Sequence, residues 1–194
     1  MTTTTDPHAV LRTDPVMADL IETHGRLTLQ PAEDEFRRLV VSIVNQQLST
    51  ASADAIRERL FDHLDAVTPA TVLAADRDAL RDTGLSGTKV DYLRNAATAF
   101  RDRDLTREGL TDSDDEAVID ELTAITGIGR WTAEMYLIFV LGREDVLPLG
   151  DLAIRRGLES LYDCDSRDEM RAAAEPWRPY RSYGTLYVWE HYES

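Results

Sequence analysis

The sequence predicts an all-α protein, and three observations predict it. Apolar residues recur at spacings of three and four through most of the chain. Ser, Thr or Asp stands just ahead of many of those runs, where an N-cap belongs. The only apolar and polar alternation is Leu27-Thr28-Leu29, too short for a strand. Roughly nine or ten helices joined by short loops are expected.

Residues 1–30 are weakly patterned, with a short helix expected around Met17 to Ile21 and a break at Gly25. From Pro31 the pattern sharpens. Proline at a first helical position and three acids in the first turn precede Phe36, Leu39, Val40, Ile43, Val44 and Gln47 at helical spacing, a face expected to be buried. A second helix follows Ser49 and turns Ala53, Ile56, Leu60 and Leu64 inward. Thr68-Pro69 opens a short helix, Asp76 caps another, and Gly84 stops it. Val90, Leu93, Ala97 and Phe100 define the next helix, and the charged, aperiodic stretch from Asp102 to Asp112 reads as a loop. Ser113-x-x-Glu116 reads as a capping box. The helix it starts runs through Val118, Leu122 and Ile125, and another follows at once, to about Leu141. Pro148 and Gly150 mark a turn, and Asp151 opens a helix with Ile154, Leu158 and Leu161 inward. Ser166 with Glu169 caps the next helix, and Pro179 is expected in the first turn of the last.

At 194 residues the chain can bury a sizeable core. No stretch approaches the roughly 18 consecutive apolar residues of a membrane span, and MTTTTDPHAV carries no secretory or organellar pattern, so a cytoplasmic protein is expected. Cys164 is the only cysteine, which excludes an intramolecular disulfide, a cysteine-built zinc site and a four-cysteine iron–sulfur cluster. His8, His24, His63 and His191 show no ligand spacing. The formal net charge is −15, which ordinarily opposes binding to phosphates. Lys89 is the sole lysine, so arginine supplies the other 20 of 21 basic residues. Acidic, lysine-poor composition fits a halophilic, high-salt cytoplasm, where the Debye length shrinks to about 3 Å and local groups decide binding.

The most informative stretch is Leu122-Thr-Ala-Ile-Thr-Gly-Ile-Gly-Arg-Trp-Thr-Ala133, two helices separated by Gly127-Ile128-Gly129. Glycines let such a turn approach a phosphate, and the amides opening the second helix offer an anion site aided by the helix dipole. An isolated G-x-G is more often a plain helix end.

Context changes that balance. Ser42-Ile-Val-Asn-Gln-Gln-Leu-Ser49, Gly84-Leu-Ser-Gly-Thr-Lys-Val-Asp-Tyr-Leu93, the hairpin Gly127–Ala133, Asp145-Val-Leu-Pro-Leu-Gly-Asp151, and Trp177-Arg-Pro-Tyr-Arg-Ser182 leading to Trp189 follow one another in order. Together they resemble the helix-hairpin-helix base-excision DNA glycosylase superfamily, and within it the DNA-3-methyladenine glycosylase II type.

The resemblance implies a two-lobed helical fold with the active-site cleft between the lobes. Residues 36–141 would form the central lobe, with the hairpin at about 114–141, and residues 1–35 plus 142–194 the second lobe, carrying Asp151. The segment ahead of Pro31 is too short for the N-terminal β domain of some bacterial members. Asp151 takes the place of the family's catalytic aspartate, whose carboxylate stabilises positive charge on the sugar; the same residue also reads as an N-cap. Trp131 stands where bifunctional members carry a nucleophilic lysine, which implies a water-using enzyme without lyase activity. Trp131 and Trp189 fall at aromatic pocket positions suited to a cationic alkylated purine, with Tyr136 a further candidate. Tyr180, Tyr183 and Tyr187 recur at helical spacing, and such a stripe packs more often than it binds. Gln46, Gln47 and Leu48 lie where the family fills the gap left by the flipped nucleotide, without indicating which is the wedge. Gly127, Ile128, Gly129, Arg130 and Thr132 would contact DNA, and Arg181 would support the pocket or pair with one of the many carboxylates. The resemblance allows an alkali cation on the hairpin carbonyls and no other cofactor. Its partner would be duplex DNA containing damaged bases, bound by a monomer.

Three alternatives remain open at this level. Another flipped base, such as a mismatched thymine, uracil, hypoxanthine or an etheno adduct, would use the same Asp151. A non-catalytic helix-hairpin-helix module would bind DNA without releasing a base, and an acidic helical interaction protein would leave the Gly-Ile-Gly hairpin unexplained.

Overall fold

The computed structural model describes residues 6–194, and every element in it is helical. The chain forms two compact units, one made of the segment ending at Pro31 together with Gly142–Ser194, the other of Ala32–Leu141.

The terminal unit begins with two helices, α1 (Pro7–Leu11) and α2 (Pro15–His24). Each has aspartate at the N-cap and proline in the first turn, Asp6 accepting from the His8 amide and Asp14 from the Val16 amide. The expected single helix near Met17 to Ile21 is therefore longer and has a companion, and Gly25 (φ +74°) ends it as expected. After Gly142 the unit continues with α10 (Leu152–Tyr162), α11 (Arg167–Ala173), a single 3-10 turn (Glu175–Trp177) and α12 (Arg181–Glu193), numbered in chain order. Its core gathers Leu11, Met17, Ile21, Ile154, Leu158, Trp177, Tyr187 and Val188. Trp177 Nε1 and Tyr162 Oη both donate to Asp14 Oδ2, at 2.9 and 2.6 Å, so one buried carboxylate satisfies two aromatic donors and ties the start of α2 to the rest. Gly157 of α10 lies against Val188 of α12, where a Cβ would collide, so these helices pack backbone to side chain.

The central unit holds α3 (Glu35–Asn45), α4 (Thr50–His63), α5 (Pro69–Ala74), α6 (Arg77–Asp82), α7 (Gly87–Asp102), α8 (Asp115–Thr123) and α9 (Arg130–Phe139). Helix α3 packs on α4, α7 and α9, and α7 packs on α3, α5 and α6. Their shared core includes Leu39, Ile43, Leu93 and Ala97, with Phe36, Phe100 and Tyr136 stacked edge to face at 5.2 and 6.2 Å. Arginines tie helix ends together through carbonyls. Arg94 Nη1 donates to the Val72, Leu73 and Ala75 carbonyls, and Arg107 reaches those of Val140 and Ala32.

Several boundaries differ from the sequence reading. Pro31 does not open α3: the Ala32 amide donates to the Phe139 carbonyl, which holds the chain extended until Asp34 caps Glu35. Gln47 is not on the buried face, because α3 stops at Asn45. Ser113 is not the cap of α8; Asp114 is, accepting from the Ala117 amide at 2.8 Å. Pro179 precedes α12 rather than lying in its first turn. No helix among the described residues is long and apolar enough to cross a membrane.

Candidate active site and hairpin interface

The hairpin in the central unit is α8, the turn Ala124–Gly129, and α9. Gly127 has φ +105°, and a Cβ there would run into the Tyr92 ring, so the turn needs glycine on two grounds. Gly129 is the N-cap of α9, makes no side-chain cap bond, and has open space where a Cβ would lie. The opening of α9 thus faces outward with no capping side chain over it, unlike α3 to α8 and α10, whose N-cap side chains accept from the first turn.

Beside the hairpin, the chain leaving α3 makes a tight reversal. The Leu48 amide donates to the Asn45 carbonyl at 3.2 Å, Gln46 has φ −51° and ψ 126°, and Gln47 has φ +57°. These are the values of a type II turn with a non-glycine residue at the position that favours glycine. Gln47 is exposed at the tip, and Leu48 keeps 39% of its surface exposed, unusual for leucine.

The structure revises several of the residues expected to meet DNA. Gln46 points inward: its Nε2 donates to the Gly127 carbonyl and to Thr132 Oγ1, both at 3.0 Å. Thr132 is buried and used by that bond, and Ile128 is 4% exposed, so both serve the hairpin from inside and offer DNA at most their backbone. Arg130 is held by carboxylates, Glu116 at 2.6 and 3.0 Å and Glu134 at 3.1 Å. Those neighbours raise its already high pKa, and a phosphate would have to displace Glu116 to reach it. Tyr136 is not a pocket residue. It is 1% exposed, its hydroxyl donates to the Leu105 carbonyl at 2.6 Å, and burial pushes its pKa up. The whole stretch from Thr132 to Ile138 is buried, so α9 is enclosed on all sides beyond its first turn. Trp131, in that first turn, stays half-exposed.

Side chains show no cluster of potential metal ligands among the described residues. The Thr126 and Gly127 carbonyls accept from Asn95 Nδ2 and Gln46 Nε2, and the Ile125 carbonyl from the Ile128 amide.

In the terminal unit, Asp151 is half-buried at the N-cap of α10, and its Oδ1 accepts from the Ile154 amide at 3.1 Å. The loop that delivers it is clamped from α12. Arg181 donates through Nε and Nη2 to the Asp145 carboxylate at 2.6 and 3.1 Å, and through Nη2 to the Asp145 carbonyl at 2.9 Å. Arg178 adds a bond to Asp145 at 2.6 Å. Ser182 Oγ donates to the Arg143 carbonyl and accepts from the Val146 amide, and its own amide donates to the Glu144 carbonyl. Nearer Asp151, Arg155 Nη1 donates to the Leu149 and Gly150 carbonyls, both at 3.0 Å. Arg181 therefore acts on the loop ahead of Asp151. Trp189, on α12, is half-buried and packs against the terminal core.

Sequence reasoning missed Asp145, Ser182 and Arg155 as builders of this loop, although the first two stood inside the quoted segments. Of the residues singled out, the structure brings Gln46, Gly127 and Thr132 together in the central unit and puts Arg181 on the loop that ends at Asp151. Trp131 and Trp189 belong to different units.

The model of the HhH-GPD superfamily base excision DNA repair protein matches residues 40–179. The chain belongs to this family. Among HhH-GPD relatives, DNA-3-methyladenine glycosylase 1 of Schizosaccharomyces pombe is 33% identical over 165 residues, 81% of this chain and 72% of that protein. YfjP of Bacillus subtilis is 28% identical over 188 residues, 91% of this chain and 66% of that protein, so the chain spans just under two thirds of its length. The solved structure of the S. pombe 3-methyladenine DNA glycosylase Mag1 in complex with abasic DNA superposes with a TM-score of 0.86 at 30% identity, covering 97% of each chain.

Proposed function

We propose that this chain is a monofunctional DNA glycosylase of base excision repair, which flips an alkylated purine of the 3-methyladenine type out of duplex DNA and hydrolyses its N-glycosidic bond with the help of Asp151. The observation that carries the reading is Asp151 itself: a carboxylate fixed at a helix start by the Ile154 amide, on a loop anchored by Asp145, Arg181 and Ser182, in a chain of the HhH-GPD family.

The chemistry follows from charge. Alkylation at N3 or N7 leaves the purine cationic, so breaking the bond from the sugar C1′ returns its electron pair to a base that departs neutral. Positive charge moves to the sugar. A nearby carboxylate stabilises that oxocarbenium-like centre, and water forms the new bond to C1′ while its proton passes to the carboxylate or to solvent. No lysine nucleophile is needed. Lys89, the sole lysine, donates to the Val44 and Gln46 carbonyls at 2.6 and 2.7 Å, which leaves its nitrogen committed to a structural role.

Trp189, in the unit that carries Asp151, is the indole assigned to the flipped base, which it would hold by cation–π attraction. Gln47, left-handed and exposed at the tip of its turn, is the wedge, with Leu48 beside it. Glycine-rich backbone at Gly127 and Gly129 carries the phosphate contact, so a protein of net charge −15 binds without a basic surface. We further assign it to a cytoplasm of high salt, on the strength of its acidic, lysine-poor composition, and to action as a monomer.

The test is single-turnover release of methylated purines from duplex DNA by the wild type and by Asp151→Asn. Asparagine caps a helix about as well as aspartate, so the melting temperature should hold while release falls about 100-fold or more. DNA binding by the wild type with no purine released would overturn the alkylpurine assignment, and equal rates for the two proteins would remove Asp151 from the chemistry.

A further inference from the structure

The turn Asn45–Leu48 is in an unfavourable conformation for its sequence. A type II turn wants glycine at its third position, and here that position is Gln47, at φ +57°. The same four residues would form a type I turn without a positive φ, by rotating the Gln46–Gln47 peptide about half a revolution. That rotation reverses the Gln46 carbonyl and redirects the Gln47 side chain, so whatever holds that carbonyl decides where the tip of the turn points.

Lys89 holds it. Its Nζ donates to the Gln46 carbonyl at 2.7 Å and to the Val44 carbonyl, near the end of α3, at 2.6 Å. The lysine stands in the first turn of α7, whose cap Ser86 accepts from the Lys89 amide. The same helix reaches the hairpin twice more, through Asn95 to the Thr126 carbonyl and through the Tyr92 ring under Gly127. Gln46 closes the circuit, with its carbonyl on Lys89 and its side chain on Gly127 and Thr132. Burial holds the ammonium below the usual lysine range, and the two carbonyls offset part of that cost.

We infer that Lys89 is a positioning residue for lesion capture: it locks the Gln46–Gln47 peptide in the type II orientation and so sets the direction of the Gln47 wedge relative to the hairpin that grips the backbone. The inference rests on the glycosylase reading for its consequence, though not for the turn itself. It gives the chain's only lysine a role that arginine does not fill: a compact ammonium can serve two nearby carbonyls from one nitrogen, whereas a guanidinium spreads its donors over a rigid plane.

The experiment compares Lys89→Met and Lys89→Arg with the wild type in three readouts. The first, amide hydrogen exchange at Gln47 and Leu48 in the protein without DNA, should quicken about tenfold or more in the methionine variant, with less change for arginine. The second is single-turnover release of a methylated purine paired in a duplex, which should slow about tenfold. The third is the same lesion presented as a bulged, already unstacked nucleotide, where the wedge has little left to do and the rate should recover to within about twofold. A merely structural lysine would lower both release rates alike; that result, or unchanged exchange at the turn, overturns the inference. Should Lys89→Met melt below the assay temperature, Lys89→Arg is read instead: its smaller slowing should again be confined to the paired lesion, and equal slowing of both lesions, or none, overturns the proposal. If the wild type releases no purine from either substrate, the glycosylase reading has failed, and the exchange measurement alone judges the turn.

Discussion

Replacing Asp145 by asparagine removes one negative charge from the centre of the clamp and leaves its shape almost unchanged. In the wild type the carboxylate accepts from Arg181 at 2.6 and 3.1 Å and from Arg178 at 2.6 Å, with the Arg181 side chain 16% and that of Asp145 28% exposed. Hydrogen bonds to a charged partner contribute about 1.5–3 kcal/mol, and breaking a fully buried pair costs about 3–5. Arg178 is 46% exposed, so its share is small, and asparagine keeps one acceptor oxygen. The net loss should be roughly 2 kcal/mol, which for a chain of this size lowers the melting temperature by about 4–8 °C. The clamp holds the loop that ends at Asp151, and a displacement of about 1 Å at a reacting group can cost about 100-fold in rate. Single-turnover purine release should therefore fall by about tenfold or more, with binding to undamaged duplex little changed. Thermal melts and release assays at low and at molar salt test both parts. The penalty should persist at molar salt, because a mostly buried pair is poorly screened. A melting temperature within about 1 °C of the wild type, or a loss that disappears at molar salt, would show that Asp145 and Arg181 behave as an ordinary surface pair, and the argument for a clamp would fall.

Two further outcomes follow from named contacts. Glu116→Gln should release Arg130 from its main carboxylate partner and tighten binding to undamaged duplex about two- to fivefold at low salt, the gain fading as salt rises; a fluorescence-anisotropy salt titration measures it. Glu169 accepts from the Asp165 and Ser166 amides in the capping box of α11, and these bonds hold its carboxyl below the ordinary 4.5. A lowered acid stabilises the fold above its unfolded pKa and loses that contribution as pH falls through its folded value, so Glu169→Gln should flatten the fall in melting temperature below about pH 4.5, leaving the profile above it parallel to the wild type.

Helix starts were largely legible because an N-cap is a local event. Ser49, Thr68, Asp76, Asp151 and Ser166 cap as their sequence suggests, each bonding an amide within three residues. The same rule could have found α1 and α2, since Asp6-Pro7 and Asp14-Pro15 both place a cap before a helix-opening proline. Ser113 misled because Asp114 beside it is an equally good cap, and a shift of one residue is invisible to periodicity. Tyr136 was readable too: Met135-Tyr-Leu-Ile138 is apolar on every face, the mark of a buried helix rather than of one lining a polar site. What could not be read were the pairings. With 36 acidic residues in the chain, nothing local says that Asp145 rather than a neighbour receives Arg181, or that Gln46 reaches Thr132. Those choices are made by packing, and the candidate site is assembled from them.

The distribution of cations suggests why so acidic a protein can grip DNA. In the central unit Lys89 and Arg94, both half-buried, and the more exposed Arg59 and Arg107 bind carbonyls, whereas the exposed Arg77, Arg101 and Arg130 face carboxylates. Salt acts on these two sets unequally. Exposed ion pairs weaken as the Debye length shrinks, while a cation bonded to a carbonyl at a helix end relies on a fixed dipole rather than on a screened counter-charge. Raising salt would then loosen Arg130 from Glu116 before disturbing the bonds that shape the hairpin and the wedge turn. Phosphate contacts made by backbone amides displace few counterions from the protein, so affinity resting on Gly127 and Gly129 should decline with salt more slowly than affinity resting on a lysine-rich surface. On the proposed reading an acidic exterior and a DNA-binding hairpin are compatible: the fixed dipoles at one helix start, together with one arginine released by screening, would set the grip.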